Sequence, residues 1–451
     1  MSAIKLRVRQ RILSAIALLA FTLAPVLAAP PLADLAGGLN IDKEAISVSG
    51  ISSGAFMAHQ FHIVHSEHIM GAGVIAGGPY YCARGSMLDA VTKCSKFVDL
   101  TCEKLMALIS SDASGCGATD RTPQNETEVE QVAQESFNEA RRQNSLSNIK
   151  NDKVYLFSGR HDAIVPHGVM DAVYALYTDS DKLGLKKENV EYNRDFPARH
   201  TQVRDSFTRP EGEVVGNCAL PPEPPPPTDR NTFIDDCQEV ARAAMQEGGC
   251  VCSADSRAEC PPSESKELCE DVEDVDLAGA NLKHIYGKEA LASEREKTDE
   301  DDVLVFDQRR IFEHFFPTGW RVRAQNASMA KGGYLFVPES CREGKKCKLH
   351  VAFHGCLQGG KTDQRPGHSG NLFSKFAGYN EWAVANDIVV LYPQVEGRQV
   401  PPPMNPQGCW DWWGQSYTHE DYHTKHGIQI RAVAQMINEL VGEPILDVKE
   451  D

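Results

Sequence analysis

Three side chains of this 451-residue chain stand where acyl-transfer chemistry would need them. The first is Ser52, at the centre of Gly50-Ile51-Ser52-Ser53-Gly54, a G-x-S-x-G pattern. An apolar, β-branched stretch with Ile46 and Val48 runs into the box, and a helix-permissive stretch, Ala55 to His59, follows it. Strand, box and helix are the context in which this pattern forms a sharp turn that lifts a hydroxyl above a sheet edge. Side chains at the flanking positions would collide in so tight a turn, which accounts for the glycines. The next amide, that of Ser53, then opens a helix and can donate to a developing oxyanion. A Gly/Ser turn without chemistry would use the same residues, so the serine needs partners elsewhere.

Asp162 and His200 are those partners. Val154-Tyr155-Leu156-Phe157 reads as a buried strand, and the loop Ser158 to Pro166 carries Asp162 just beyond it. A carboxylate at that point is placed to orient a histidine. The alternative is a cap for a helix near Gly168 to Leu176, but Pro166 intervenes. Val190 to Pro197 reads as the next strand, and Ala198-Arg199-His200-Thr201 follows. His161 and His167 are rivals, yet they sit in the acid's own loop. A base that must reach both serine and carboxylate is better placed on a separate loop. Serine, acid, histidine is the chain order of α/β hydrolases.

Other elements must position these groups. Gly71 to Gly78 reads as the strand after the serine helix, and Cys82 to Ser145 as polar and helical. Gly333 to Pro338 and Lys348 to Phe353 read as paired strands, with Cys341 and Cys347 flanking the turn and able to bridge it. The second of them ends in His354-Gly355-Cys356, similar to the H-G-G loops that give hydrolases a second oxyanion amide. Asn371 to Asn386 reads as an amphipathic helix, Asp387 to Pro393 as a buried strand and Gly427 to Leu440 as a closing helix. Trp410, Trp412 and Trp413 crowd into Gly408 to Gly414. We expect Trp410 in the core and Trp412 or Trp413 against substrate. The oxyanion loop follows the three catalytic candidates instead of preceding them. The same sheet is reachable if the chain is circularly permuted, so that its C-terminal third supplies the usual N-terminal strands.

Composition sets the bounds. Residues 1–29 have a basic start, an apolar run from Ile12 to Leu23 and a small-residue site at Val26-Leu27-Ala28, the pattern of a cleaved secretory signal. No other stretch could cross a membrane, so an exported protein with no stable span is expected. The net charge of -17 repels nucleic acid and anionic membranes and suits a neutral substrate. Fourteen Cys in an exported chain read mostly as disulfides. Residues 205–302 read as a Pro-rich, acidic, Cys-rich insertion. Cys250-Val251-Cys252 has no zinc spacing and no nearby histidine before His284. His59, His62, His65 and His68 recur every third residue and drift around a helix, so they share no face for an ion. Neither a metal nor an organic cofactor is expected.

Several motifs in matching order resemble the poly(3-hydroxybutyrate) depolymerase family, over about Ile46 to Val203 and Asp302 to Leu440. They are Ser49 to Ala58, Ala76-Gly77-Gly78-Pro79-Tyr80, His354-Gly355-Cys356, Leu391-Tyr392-Pro393-Gln394 and Gly408-Cys409-Trp410-Asp411-Trp412. The resemblance is to the single-domain, circularly permuted extracellular members. It implies a circularly permuted α/β-hydrolase fold, here with core segments 30–204 and 303–451 on either side of the Cys-rich insertion read from composition. It implies nucleophile Ser52, acid Asp162 and base His200, oxyanion amides on Ser53 and Cys356, and a bridge from Cys356 to Cys409. Trp412 or Trp413 would lie near the polyester cleft. The implied activity is ester hydrolysis on poly(3-hydroxybutyrate) or its oligomers. The insertion departs from the family core, and no Thr-rich linker or granule-binding domain follows the core. A feruloyl or acetyl esterase on polysaccharide, or a non-catalytic binding protein on a hydrolase core, are the alternative readings.

Overall fold

A computed structural model describes residues 29–96, 122–143, 146–160, 162–196, 198–204, 234–236, 276–315, 324–360, 371–398, 404–414 and 421–448. The expected signal up to residue 28, His161 and most of the 205–302 stretch lie outside the described residues.

The strands, in chain order, are β1 (Asn40–Ile51), β2 (Gly71–Ile75), β3 (Lys153–Phe157), β4 (Val190–Asn193), β5 (Gln202–Arg204), β6 (Ile234–Asp236), β7 (Val303–Asp307), β8 (Gly332–Phe336), β9 (Lys346–Phe353) and β10 (Ile388–Tyr392). Eight of them form one sheet in the order β4-β3-β2-β1-β9-β10-β8-β7. β4, β3, β2, β1, β9 and β10 run parallel, while β8 is antiparallel to β10 and to β7. Parallel strands covered on both faces tend to near-continuous apolar runs. Ile388-Val389-Val390-Leu391-Tyr392 is buried at every position for that reason.

Alternate residues feed two apolar layers. Ile46, Val48, Val74 and Leu156 face one of them, Ile51, Ile75, Tyr155 and Phe157 the other. Helix α1 (Ser53–Val64), buried along its whole length, packs into the first layer with α2 (Ile428–Val441). Helices Leu277–Tyr286 and Tyr379–Asn386 cover the opposite face. Among the described residues no helix is long and apolar enough to cross a membrane.

The expected strand order holds at the site. β9, far along the chain, lies directly against β1, with Gly50 opposite Phe353. The C-terminal third therefore completes a sheet whose serine, acid and histidine strands come first in sequence. Two local expectations are corrected. β8 and β9 are not a hairpin, because β10 lies between them and pairs with both. The Cys341–Cys347 disulfide forms, but it closes the crossover between two separated strands. The helix read over Asn371 to Asn386 is broken at Gly378, whose φ of +95° divides Leu372–Phe376 from Tyr379–Asn386.

The core also resumes earlier than the composition boundary at 302. Helix Leu277–Tyr286 packs on the sheet through Leu277, Ala278 and Leu282. β5 ends at Arg204 and pairs with β6, and Asp276 immediately precedes the helix. Both points lie beside Gly378. A Cβ there would stand 3.2 Å from Asp276 Oδ1 and 3.4 Å from Arg204 Nε. Arg204 is bonded to the Phe376 carbonyl at 3.0 Å and paired with Glu381. Asp276 accepts from Trp382 Nε1 at 2.6 Å.

Candidate active site

β1 ends at Ile51 and α1 begins at Ser53, so Ser52 has to make the whole turn. It does so at φ 57° and ψ -125°, a backbone conformation that costs a non-glycine residue of order 1–3 kcal/mol and persists only where the surroundings enforce it. The enforcement is visible. The Ser52 N–H donates to the Ile75 carbonyl of β2 at 3.0 Å. A Cβ on Gly50 would collide with the Gly54 carbonyl, and one on Gly54 with the carbonyls of Phe353 and His354. The first glycine lets the helix fold back on its strand. The second lets it touch the end of β9, so the elbow and the His354-Gly355-Cys356 loop meet backbone to backbone.

That contact brings the oxyanion-loop candidate against the serine turn. A Cβ on Gly355 would lie 3.2 Å from Ser52 Cβ. Ser52 and Cys356 line one cleft with Ile51, Ile164, His200 and Leu357. Among the described residues, the Ser53 and Cys356 amides are committed to no backbone acceptor. The loop is pinned by groups that sequence reasoning missed. Gln358 Oε1 accepts from the Gly355 N–H at 2.6 Å. The Val395 N–H donates to His354 Nε2 at 3.2 Å. This fixes the proton of His354 on Nδ1, which donates to the Gly355 carbonyl at 2.7 Å. In a trans peptide the Cys356 N–H points opposite that held carbonyl. The doublet Gly359-Gly360 was the available signal: a Cβ on Gly359 would strike the His354 ring.

The candidate acid and base lie in the loops after β3 and β4. Asp162 is buried in the loop after β3. Its Oδ1 accepts from the Ile164 and Val165 amides, both at 2.8 Å. Its Oδ2 accepts from His200 Nδ1 at 2.8 Å. The helix His167–Thr178 has no side-chain cap from Asp162; Pro166 occupies that position. His167 instead bonds the Gly159 carbonyl at 3.1 Å. His200, 9 % exposed, lies in the loop after β4 and reaches the cleft wall that Ser52 shares.

The remaining expectations fall as follows. Trp410 is fully buried. Trp412 stacks on Phe56 with centroids 4.0 Å apart and meets Trp413 edge-on at 5.2 Å. This aromatic group sits on α1 beside the Cys82–Cys94 disulfide and outside the residues that line the Ser52 cleft. The Cys356–Cys409 bridge is formed. His59, His62 and His65 are packed in the core. His62 bonds the Tyr177 hydroxyl at 2.8 Å and Asp152 at 3.0 Å. Burial pushes His59 and His65 down to about 3, which keeps both rings neutral. Among the described residues no cluster of potential metal ligands occurs.

The sheet order and the serine elbow at its centre define a circularly permuted α/β hydrolase. No family model matches the chain, but individual relatives do. It is 30 % identical over 404 residues to a poly(3-hydroxybutyrate) depolymerase of Delftia acidovorans, a match that covers 89 % of this chain and 60 % of that one. It is 28 % identical over 411 residues to the polyhydroxybutyrate depolymerase of Talaromyces funiculosus, covering 89 % of this chain and 91 % of the relative. Among solved structures it resembles a PHB depolymerase from Penicillium funiculosum and a PHB depolymerase complexed with an R3HB trimer. In both, the TM-score is 0.58 at 26 % identity, with 92 % of this chain and 99 % of the other covered. The chain is thus similar to poly(3-hydroxybutyrate) depolymerases along most of its own length, and it spans 60 % of the length of the Delftia relative.

Proposed function

We propose that this protein is a secreted serine esterase that hydrolyses poly(3-hydroxybutyrate) or its oligomers through an acyl-enzyme. The observation that carries the reading is the 2.8 Å bond between His200 Nδ1 and Asp162 Oδ2, at a cleft that Ser52 also lines. With Nδ1 bonded to the carboxylate, Nε2 is the nitrogen assigned the role of base. Ser52 attacks the ester carbonyl as His200 accepts the hydroxyl proton. The Ser53 and Cys356 amides receive the oxyanion, and each such donor typically contributes about 100- to 1,000-fold in rate. His200 returns its proton to the departing alcohol end of the polymer. Water then gives a proton to His200 as its oxygen attacks the acyl carbonyl, and His200 returns that proton to Ser52 Oγ as the 3-hydroxy acid leaves.

The cleft walls support the substrate class. Ile51, Ile164 and Leu357 surround the serine and histidine, an apolar lining suited to a short neutral acyl chain. The relative complexed with an R3HB trimer is a precedent for an oligoester ligand. The basic, apolar N-terminal segment and the disulfides support export.

The test is to give amorphous polymer, crystalline polymer, soluble 3-hydroxybutyrate trimer and a feruloyl ester to the purified mature protein and to Ser52→Ala. Release of 3-hydroxybutyrate that vanishes in Ser52→Ala is the expected result. Ferulate release without 3-hydroxybutyrate, or unchanged turnover in Ser52→Ala, would overturn the reading.

A further inference from the structure

Cys409, Trp410 and Asp411 are consecutive, and together they contact both the His354-Gly355-Cys356 loop and helix α1 that follows the serine turn. On the oxyanion-loop side, Cys409 is joined to Cys356 by a disulfide. The Trp410 indole meets Phe353, the last residue of β9, edge-on at 5.0 Å and lies 5.6 Å from the His354 ring. On the elbow side, the Trp410 N–H donates to Ser53 Oγ at 3.3 Å. The Asp411 carbonyl accepts from Gln60 Nε2 of α1 at 3.1 Å. Asn405 in turn fixes Cys409 twice. Its Oδ1 accepts from the Cys409 N–H and its Nδ2 donates to the Cys409 carbonyl, both at 2.9 Å. Asn405 is 1 % exposed, and neither it nor Trp410 is among the residues lining the cleft.

We propose that Cys409 to Asp411, braced by Asn405, is a clamp that sets the spacing between the two oxyanion amides. The inference rests on the reading of Ser53 and Cys356 as those donors. The physical reason is that the donors belong to different elements. Ser53 opens α1, whereas Cys356 lies in the loop after β9. An oxyanion needs both N–H groups at about 2.7–3.1 Å from one oxygen, so a small relative shift of the elements loses one of them. A misplacement of about 1 Å can cost about 100-fold in rate. The clamp spans that gap through a covalent bond on one side and, on the other, hydrogen bonds between its main chain and the Ser53 and Gln60 side chains. Its members are positioning residues. They act on the transition state through the amides, so their loss falls on kcat and leaves KM nearly unchanged.

The test compares Cys356→Ala/Cys409→Ala, Asn405→Ala, Asn405→Asp and the combination of the cysteine pair with Asn405→Ala, using soluble 3-hydroxybutyrate trimer. The cysteine pair is expected to lower kcat by about 10- to 100-fold, with KM within about twofold. Asn405→Ala should give a smaller loss of the same kind. Asn405→Asp, which keeps the acceptor for the Cys409 N–H, should fall between it and the wild type. The combination should be no slower than the cysteine pair alone, because both changes release one coordinate. Wild-type kcat in the folded cysteine variant, losses that multiply, or losses confined to KM each overturn the clamp. If the cysteine pair does not melt cooperatively, the Asn405 series decides, and equal kcat across it overturns the proposal. Ser52→Ala separates the two readings. Activity surviving in Ser52→Ala refutes the serine esterase, while a dead Ser52→Ala beside fully active clamp variants refutes only the clamp.

Discussion

His200 and Asp162 meet at 2.8 Å from loops that follow β4 and β3, two strands in register from Val154 and Val190 to Phe157 and Asn193. The carboxylate divides its work. One oxygen takes two loop amides and so fixes the side chain, and the other faces the imidazole. Asp162→Asn keeps the size but replaces one acceptor with a donor, which cannot receive Nδ1–H. We expect kcat on a soluble ester to fall by about 10,000-fold, with an unchanged circular dichroism spectrum. Steady-state kinetics over a substrate series provides the check, and a loss below about tenfold would remove Asp162 from the proposed triad.

Ser52 should be the residue labelled by a serine-directed phosphonate. Peptide mass spectrometry after reaction locates the adduct. Ser52→Ala should show no adduct and a kcat lower by about a million-fold. An adduct on Ser53 instead would shift the nucleophile by one residue.

Gly54→Ala tests the contact between elbow and oxyanion loop. The added methyl would meet two backbone carbonyls, those of Phe353 and His354, neither of which can rotate away. Forced overpacking costs typically about 1–3 kcal/mol. The melting temperature should fall by several degrees and kcat should fall with it, since the loop that carries Cys356 must move. A variant that melts and turns over like the wild type would show that the two elements separate at little cost.

The sheet carries its own acid sensitivity. His350 lies buried between Ser47 and Ser49, with ring nitrogens 2.7 Å from each hydroxyl, and burial pushes it down to about 3. Above pH 6.5 the ring is neutral in both folded and unfolded chains and contributes no pH dependence. As pH falls from about 6.5 toward 3 the unfolded chain takes up a proton that the folded one refuses, so stability declines. The slope is about 1.4 kcal/mol per pH unit for each such group. His59 and His65 add to it in the same direction. Urea titrations at pH 7, 6, 5 and 4 should give a steadily falling unfolding free energy, and His350→Gln should lower the slope by about one proton. A pH-independent stability across that window would contradict the assignment of neutral buried rings.

The parts of the site that were legible in the sequence share one property: their chemistry is local. The glycines around Ser52 are needed by the turn itself, Asp162 follows the apolar run Val154 to Phe157, and His200 follows a short stretch from Val190 that reads as a strand. What escaped depends on contacts far apart in the chain. The pairing of β8 and β9 looked obvious because they are consecutive and flanked by Cys341 and Cys347, yet strand β10, contributed later in the chain, separates them. Helix Leu277–Tyr286 was hidden because acidic neighbours dominate the composition around it. Gln358 and Asn405 are polar residues in loops, with no period or spacing to mark them. Their roles exist only once β9 and the tryptophan segment are side by side.

The close approach of Arg204 and Asp276 at Gly378 has a bearing on how this chain could change over time. The contacts gathered there, from Arg204 to Phe376 and Glu381 and from Asp276 to Trp382, are made by residues outside positions 205–275. Changes of length or composition within that span leave these tethers in place, so lineages could vary it while the sheet keeps its packing.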